Sequence, residues 1–274
     1  MMKRTKSLLA LLLLGTLQVC GANDADFDGV DDALDQCPNT PFSDLADSTG
    51  CTTSSLYTPT YYDLIMGYHY ASSNPNTLEE FKTSSATLQA DFYHGNFSGK
   101  LQTSYYQSDE NSTNDKGFND TQFSLFYALK PTDSFMIQTG VGIIFPTYST
   151  GYDNEATDYL ASFSLKYSLN ETINLFGGYS YTMINDDNIP NLADYQDTHG
   201  WYAGFGYINS NKGSMHLSYT NTQSIYVGID PIEALSCGVM IPINPHWFMM
   251  GDYRYGLSDS ASDHEAALRI GYAF

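Results

Sequence analysis

From about Thr58 to the carboxyl terminus, apolar and small polar residues alternate on a two-residue period, broken at clusters of Pro, Gly, Asn and Asp. The alternation predicts twelve β-strands. Tyr62, Leu64, Met66, Tyr68 and Tyr70 form the apolar row of the first, and Ala86, Leu88, Ala90 and Phe92 that of the second. Gly95-Asn96 predicts a tight turn into the third, which carries Phe97, Leu101, Thr103 and Tyr105. The fourth runs through Thr121, Phe123, Leu125, Tyr127 and Leu129, and the fifth through Phe135, Ile137, Val141, Ile143 and Phe145. Tyr159 to Leu169, Ile173 to Met183, Trp201 to Tyr207 and Met215 to Tyr219 supply the next four. Leu235, Cys237, Val239 and Ile241 mark the tenth, the weakest pattern of the set, and Trp247, Met249, Tyr253 and Tyr255 the eleventh. The last strand places Ala266, Leu268, Ile270, Tyr272 and Phe274 on one parity.

Connection lengths alternate as well. Long acidic connections are expected near residues 71–80, 108–117, 146–157, 184–197, 222–231 and 257–263, with turns of a few residues between them. The opposite parity carries Lys100, Gln102, Ser164, Lys166, Asn174, Asp252, Arg254, Glu265 and Arg269. A soluble two-layer sandwich would need a second sheet over the aromatic face, and no segment offers one. The fold class predicted is therefore all-β: a transmembrane antiparallel up-and-down barrel of about 12 strands, with a polar lumen, apolar outer rows and both barrel ends on the short-turn side. His69 and His199 are expected in the lumen or at its rim.

An apolar terminal strand left as a sheet edge would invite aggregation, whereas in a barrel it closes against the first strand. With Tyr272 and the terminal Phe274, this strand resembles the C-terminal signal that barrel-insertion machinery reads in Gram-negative outer-membrane proteins. The other end of the chain reads as an export leader. Lys3, Arg4 and Lys6 precede the apolar run Ser7–Leu14, and cleavage after Ala22 defines a signal peptide over 1–22. Lipidation at Cys20 fits less well, because Gln18 and Val19 do not supply the small residue expected before the cysteine. No other run approaches the roughly 20 apolar residues of a membrane helix, so membrane residence has to use strands.

Composition sharpens this picture. Three of the 11 basic residues lie in the leader, leaving eight against 31 acidic ones, which excludes nucleic acid as the expected partner. Tyr outnumbers Trp by 23 to 2. Its ring suits a bilayer interface and its hydroxyl suits water, as the girdles of a barrel require.

Residues 23–56 differ sharply, with eight Asp, no Lys or Arg, and two cysteines. Asp24, Asp26, Asp28, Asp32 and Asp35 fall at positions 1, 3, 5, 9 and 12 of a twelve-residue loop, with Gly29 at position 6 and the Val30 carbonyl at position 7. That is the oxygen spacing of a calcium loop. Together with Cys37-Pro-Asn-Thr-Pro41 and Gly50-Cys51, the segment 24–51 resembles a thrombospondin type 3 repeat of the form found in the linkers of OmpA-type porins. The resemblance implies calcium at Asp24, Asp26, Asp28, Val30, Asp32 and Asp35, and a disulfide between Cys37 and Cys51. A single repeat precedes the barrel here, so cell-wall anchoring does not carry over. Independently, an exported segment this poor in apolar residues is expected to need a covalent staple. Cys237, on the apolar parity, reads as a small lipid-facing residue.

Catalytic patterns are sparse. His216-Leu-Ser218 has the spacing of a lipid-hydrolase pair, with Asp230 or Glu233 as an orienter, but both residues fall on the lumen parity. No Gly-rich phosphate loop, Cys-x-x-Cys pair or zinc spacing occurs. The expectation is a non-enzymatic barrel over 57–274, preceded by a periplasmic calcium segment over 23–56. It is expected to act as a small porin-like channel whose acidic mouth attracts cations. Outer-membrane lipid, lipopolysaccharide, the assembly machinery and small solutes or cations are its expected partners. A closed barrel with a structural or surface-interaction role is the alternative.

Overall fold

The computed structural model describes residues 24, 26, 30–41, 44–55, 58–73, 81–110, 113–148, 156–188 and 194–274. The expected signal peptide over 1–22, with Cys20, and Asp28 lie outside these. The chain divides into two compact units, Met1–Pro59 and Thr60–Phe274.

In the first unit, β1 (Asp44–Ala46) pairs antiparallel with β2 (Thr52–Ser55). Cys37 and Cys51 are disulfide-bonded with a Cα separation of 5.1 Å. Thr40 is buried beside them, its hydroxyl donating to the carbonyls of Cys37 and Gly50. Gly50 takes φ +78°, a backbone conformation that L side chains rarely adopt, which explains a glycine ahead of the second cysteine. Asp47 accepts from the Thr49 hydroxyl, the Thr49 N–H and the Cys51 N–H, and these bonds hold its carboxyl below the usual carboxylate range.

The second unit is a closed antiparallel barrel of twelve strands. They are β3 (Thr60–Ser73), β4 (Phe81–His94), β5 (Phe97–Glu110), β7 (Thr121–Thr132), β8 (Phe135–Phe145), β9 (Asp158–Ser168), β10 (Ile173–Met183), β11 (Thr198–Ile208), β12 (Ser214–Thr222), β13 (Ile232–Pro242), β14 (Trp247–Gly256) and β15 (His264–Ala273). Each pairs with its sequence neighbours, and β15 pairs with β3 from His264↔Ser72 to Ala273↔Asp63, which closes the ring. Strands of 9 to 14 residues match what a tilted strand needs to cross hydrocarbon. Among the described residues no helix is long and apolar enough to cross a membrane.

One predicted connection is corrected. Residues 108–117 are not a free acidic loop, because β5 continues to Glu110 and returns as β6 (Thr113–Phe118), in register from Tyr105↔Phe118 to Glu110↔Thr113. β5 pairs with β6 along its outer half and with β7 along its inner half, so β6 and β7 act as one strand broken at Asn119-Asp120. The acidic residues hid this extension. Tyr105 stacking edge-on against Phe118 at 5.3 Å, and Tyr106 donating to Asp115, supply the cross-strand contacts that keep the pair extended.

The burial pattern is inverted relative to a water-soluble sheet. Among the described residues, the apolar ones that are buried are Ile65, Tyr106, Ala234 and Ala261, while Asp91, Ser124, Asn174 and Ser218 are buried inside the barrel wall. Large apolar side chains instead stand exposed along every strand's outer row, including Met66, Leu101, Val141, Leu175, Leu217, Ile241 and Leu268. Aromatic residues bracket this aliphatic belt. Phe97, Tyr127, Tyr167, Tyr207, Trp247 and Tyr272 lie near the short turns, and Tyr68, Tyr159, Tyr179, Trp201, Tyr219 and Tyr253 lie toward the long loops. That is the surface an acyl-chain slab with two wet interfaces selects. Cys237 is free and exposed on the same outer row.

Candidate functional site: the barrel lumen

Because side chains alternate across a strand, the rows opposite the belt enter the lumen. All nine polar residues predicted for the interior share that face in the observed register. Six of them, Lys100, Gln102, Asp252, Arg254, Glu265 and Arg269, form layers along the β14–β15–β3–β4–β5 wall, and Ser164, Lys166 and Asn174 stand on β9 and β10. Toward the long loops, Glu265 lies 3.5 Å from His69 and 3.7 Å from Arg254, whose guanidinium also donates to the Thr220 hydroxyl at 3.2 Å. In the middle, Arg269 is ion-paired with Asp252. A Cβ at Gly67 would lie 2.4 Å from the Arg269 Cγ, so the absence of a side chain there is what lets Arg269 cross the wall. Toward the short turns, Asp63, Asp91 and Lys100 follow on successive strands.

The facing wall, β7 to β12, is different in kind. Phe126, Phe176, Tyr202 and His216 point inward over glycines and small residues. A Cβ at Gly140, Gly204 or Gly178 would meet the Phe126, Phe176 or Tyr202 ring at under 3 Å. The ion pairs of the lumen thus gather on one wall, while most of the rings packed over glycines stand on the other.

Of the two positions open to His199, lumen or rim, it takes the rim. It pairs with Tyr181 on the outer row and stacks on Tyr179, with ring centroids 6.2 Å apart, at the long-loop rim. The hydrolase pattern does not assemble. His216 and Ser218 share the inner face, but among the described residues no hydrogen bond joins them to each other or to Asp230 or Glu233. Glu233 accepts from Asn221, and His216 sits edge-on to Phe176 at 6.3 Å.

The connections and strand ends on the long-loop side carry Asp109, Asp115, Asp120, Asp186, Asp187, Asp194, Asp197, Asp230, Asp259 and Asp263, and, among the described residues, Lys82 and Lys116. Asp197 accepts from the Tyr181 hydroxyl and the Ile184 N–H, which hold its carboxyl below the usual range. Two loops are knitted together there. Gln196 donates to the carbonyls of Ser224 and Tyr226 at 3.0 and 3.1 Å, and Tyr195 packs on Tyr226 at 5.5 Å.

In the N-terminal unit, the Asp26 carboxylate accepts from the N–H groups of Asn39 and Thr40, both at 2.7 Å. Asp35 accepts from Cys37 N–H at 2.7 Å, while its second oxygen is buried without a hydrogen-bond partner. Asp24, Val30 and Asp32 belong to the same unit, and Asp28 is outside the described residues. Among the described residues, no three His, Cys, Asp or Glu side chains gather closely enough to hold a metal ion. Carboxylates that accept backbone N–H groups around the disulfide also explain part of the Asp spacing by themselves. At the other terminus, Tyr272 packs on Trp247 at 4.9 Å and Phe274 at 4.8 Å, and the Phe274 N–H donates to the Tyr62 carbonyl across the closing seam.

No family model matches this chain, and neither does any curated protein. Solved structures do. An outer membrane channel from Pseudomonas putida F1 superposes with a TM-score of 0.60 at 12 % identity, over 80 % of this chain and 97 % of that one. The KdgM porin gives 0.51 at 9 % identity, over 77 % and 99 %. The translocator domain of autotransporter NalP from Neisseria meningitidis gives 0.50 at 15 % identity, over 80 % and 89 %. The fold is that of an outer-membrane β-barrel. At these identities the likeness carries the architecture and not the cargo.

Proposed function

We propose that the chain is a porin-like channel of the bacterial outer membrane that passes small solutes and is non-catalytic. Its acidic outer mouth favours cations, and its N-terminal segment binds calcium on the periplasmic side. The observation that carries this reading is the inversion of polarity. A closed twelve-strand ring bears an aliphatic belt between aromatic rims outside, and charged and polar layers inside. A barrel of this size is wider than the eight-strand kind whose side chains fill it, and narrower than a sixteen-strand porin. The preference for cations rests on the excess of Asp at the long-loop end, which concentrates counter-ions at the opening. Lipopolysaccharide bridged to these carboxylates by divalent ions, and an assembly machinery reading Tyr272 and Phe274, are the partners this reading implies. Both barrel ends emerge on the short-turn side, which supports a periplasmic N-terminal unit.

Planar bilayers decide it. Refolded protein under a salt gradient is expected to conduct, with a reversal potential of cationic sign. Silence, or anion selectivity, overturns the reading. Calcium is supported by the loop spacing and by the buried, partnerless oxygen of Asp35. With the disulfide intact, calcium is expected to slow proteolysis within 24–51 and a chelator to restore it. Equal cleavage in both conditions removes calcium from the proposal.

A further inference from the structure

At the short-turn end the lumen holds a cavity of about 520 Å³, within the range that accommodates small organic molecules. Its wall combines two chemistries. Ile65, Met240, Pro242, Phe248 and Met250 supply an apolar side, and Asp63, Asp91, Lys100 and Arg269 a charged one.

The charged side is incompletely satisfied. Asp63 and Asp91 are direct cross-strand partners, and like charges so placed repel. Asp91 is only 8 % exposed. Its Oδ2 accepts from Gln89 Nε2 at 2.7 Å, while its Oδ1 is buried with no partner. Arg269 spends a terminal guanidinium nitrogen on Asp252, while its Nε is buried with no partner. Lys100, opposite Asp91, takes no part in the ion pairs described for the lumen. Asp91 and Arg269, each with one polar atom buried against the wall and without a partner, therefore line the same cavity as Lys100, beside an apolar patch. Leaving such groups unpaired is unfavourable, and the terminal torsion of a carboxylate turns easily toward a new partner.

A ligand that satisfies both groups carries an N–H cation and an anionic oxygen on one small frame. Neutral hydroxyls would bind the same side chains more weakly, because charge-assisted hydrogen bonds are roughly twice as strong. We propose that this cavity binds small zwitterions, specifically α-amino acids with an apolar side chain. The ammonium lies against Asp63 and Asp91, the carboxylate against Lys100 and Arg269, and the side chain on Met240, Phe248 and Met250. The proposal rests on the channel reading for the route by which the solute arrives.

The test uses the full chain in detergent micelles with three probes: L-leucine, L-leucinamide, which lacks the anion, and N-acetyl-L-leucine, which lacks the cation. Saturation-transfer NMR or calorimetry is expected to rank leucine tightest, with each analogue weaker by about tenfold or more. Asp91→Asn is expected to weaken leucine and leucinamide by about tenfold and to leave N-acetyl-leucine unchanged. Heat-modifiable gel mobility reports whether the variant barrel is intact, and if it is not, the analogue ranking on the unaltered protein decides alone. Equal affinity for the three probes, no leucine binding, or indifference to Asp91→Asn in an intact barrel overturns the proposal. Conductance without leucine binding leaves the channel and removes the site. Leucine binding without conductance does the reverse.

Discussion

Leu268→Arg tests the physical premise that hydrocarbon surrounds this barrel. Leu268 lies midway along β15 on the outer row, opposite Gly251 and Tyr68, and is 57 % exposed. In water an exposed leucine exchanged for arginine changes stability by about half a kcal/mol at most. Against lipid, arginine near the midplane of a barrel costs about 2 to 4 kcal/mol. A fully buried leucine is worth about 1.5 to 3 kcal/mol, so removing a leucine side chain that the barrel covers only in part adds about 1 to 2 kcal/mol. The expected destabilisation is about 3 to 6 kcal/mol, or roughly two to four powers of ten in the folding equilibrium. Met183→Arg, on the same outer parity but at the long-loop rim, is expected to cost about 1 kcal/mol or less, since the penalty falls toward the interface. Urea titration in phospholipid vesicles measures both, with emission from Trp201 and Trp247, the two tryptophans of the chain, as the signal. A Leu268→Arg loss below about 1 kcal/mol, or equal losses at the two positions, would refute a lipid-facing belt.

Replacing Cys37 and Cys51 by serine opens a cross-link spanning 14 positions, which in the chain-entropy model is worth roughly 3 kcal/mol. Fast amide exchange confined to residues 24–55, with barrel protection unchanged, is the expected result. Asp47 is held below its ordinary range by bonds from Thr49 and Cys51, so its contribution is present above the unfolded carboxyl value and is lost as pH falls through the depressed folded value. Proteolysis of the N-terminal unit should therefore accelerate only on strong acidification, and Asp47→Asn should flatten that dependence. Gly67→Ala places a Cβ 2.4 Å from Arg269 Cγ and 2.9 Å from Thr87 Oγ1. It is expected to cost about 1 to 3 kcal/mol and to turn Arg269 away from Asp252, read as a lower unfolding midpoint in detergent and an altered single-channel conductance. An unchanged midpoint and conductance would show that Arg269 has room the structure does not provide.

How much was legible in the chain differed with the distance over which each feature is decided. The weak pattern at Leu235 to Ile241 is a full strand, β13, because two-residue alternation survives even where composition is mixed. The pairing of β5 with β6 is hidden in the sequence because Asp109, Asn114 and Asp115 read as loop, and only their cross-strand partners make them extended. His199 takes the rim position, on the outer row, where it stacks on Tyr179 at an interface. The unsatisfied pair in the cavity had no local signal at all. Asp91 and Arg269 are polar residues in separate strands, and nothing in either segment tells how many of their atoms will find partners.

Local alternation was enough to specify the twelve strands of the ring, their two faces and the inside-out polarity, though not the outward extension of β5 with β6. A barrel wall is a single sheet between lipid and water, so each residue's environment follows from its own parity. Ring closure, register and the contents of the lumen were decided by tertiary structure. Pairing β15 with β3 is what brings Arg269 opposite Gly67 and two strands from Asp91, and that depends on the shear of the whole ring rather than on any one strand.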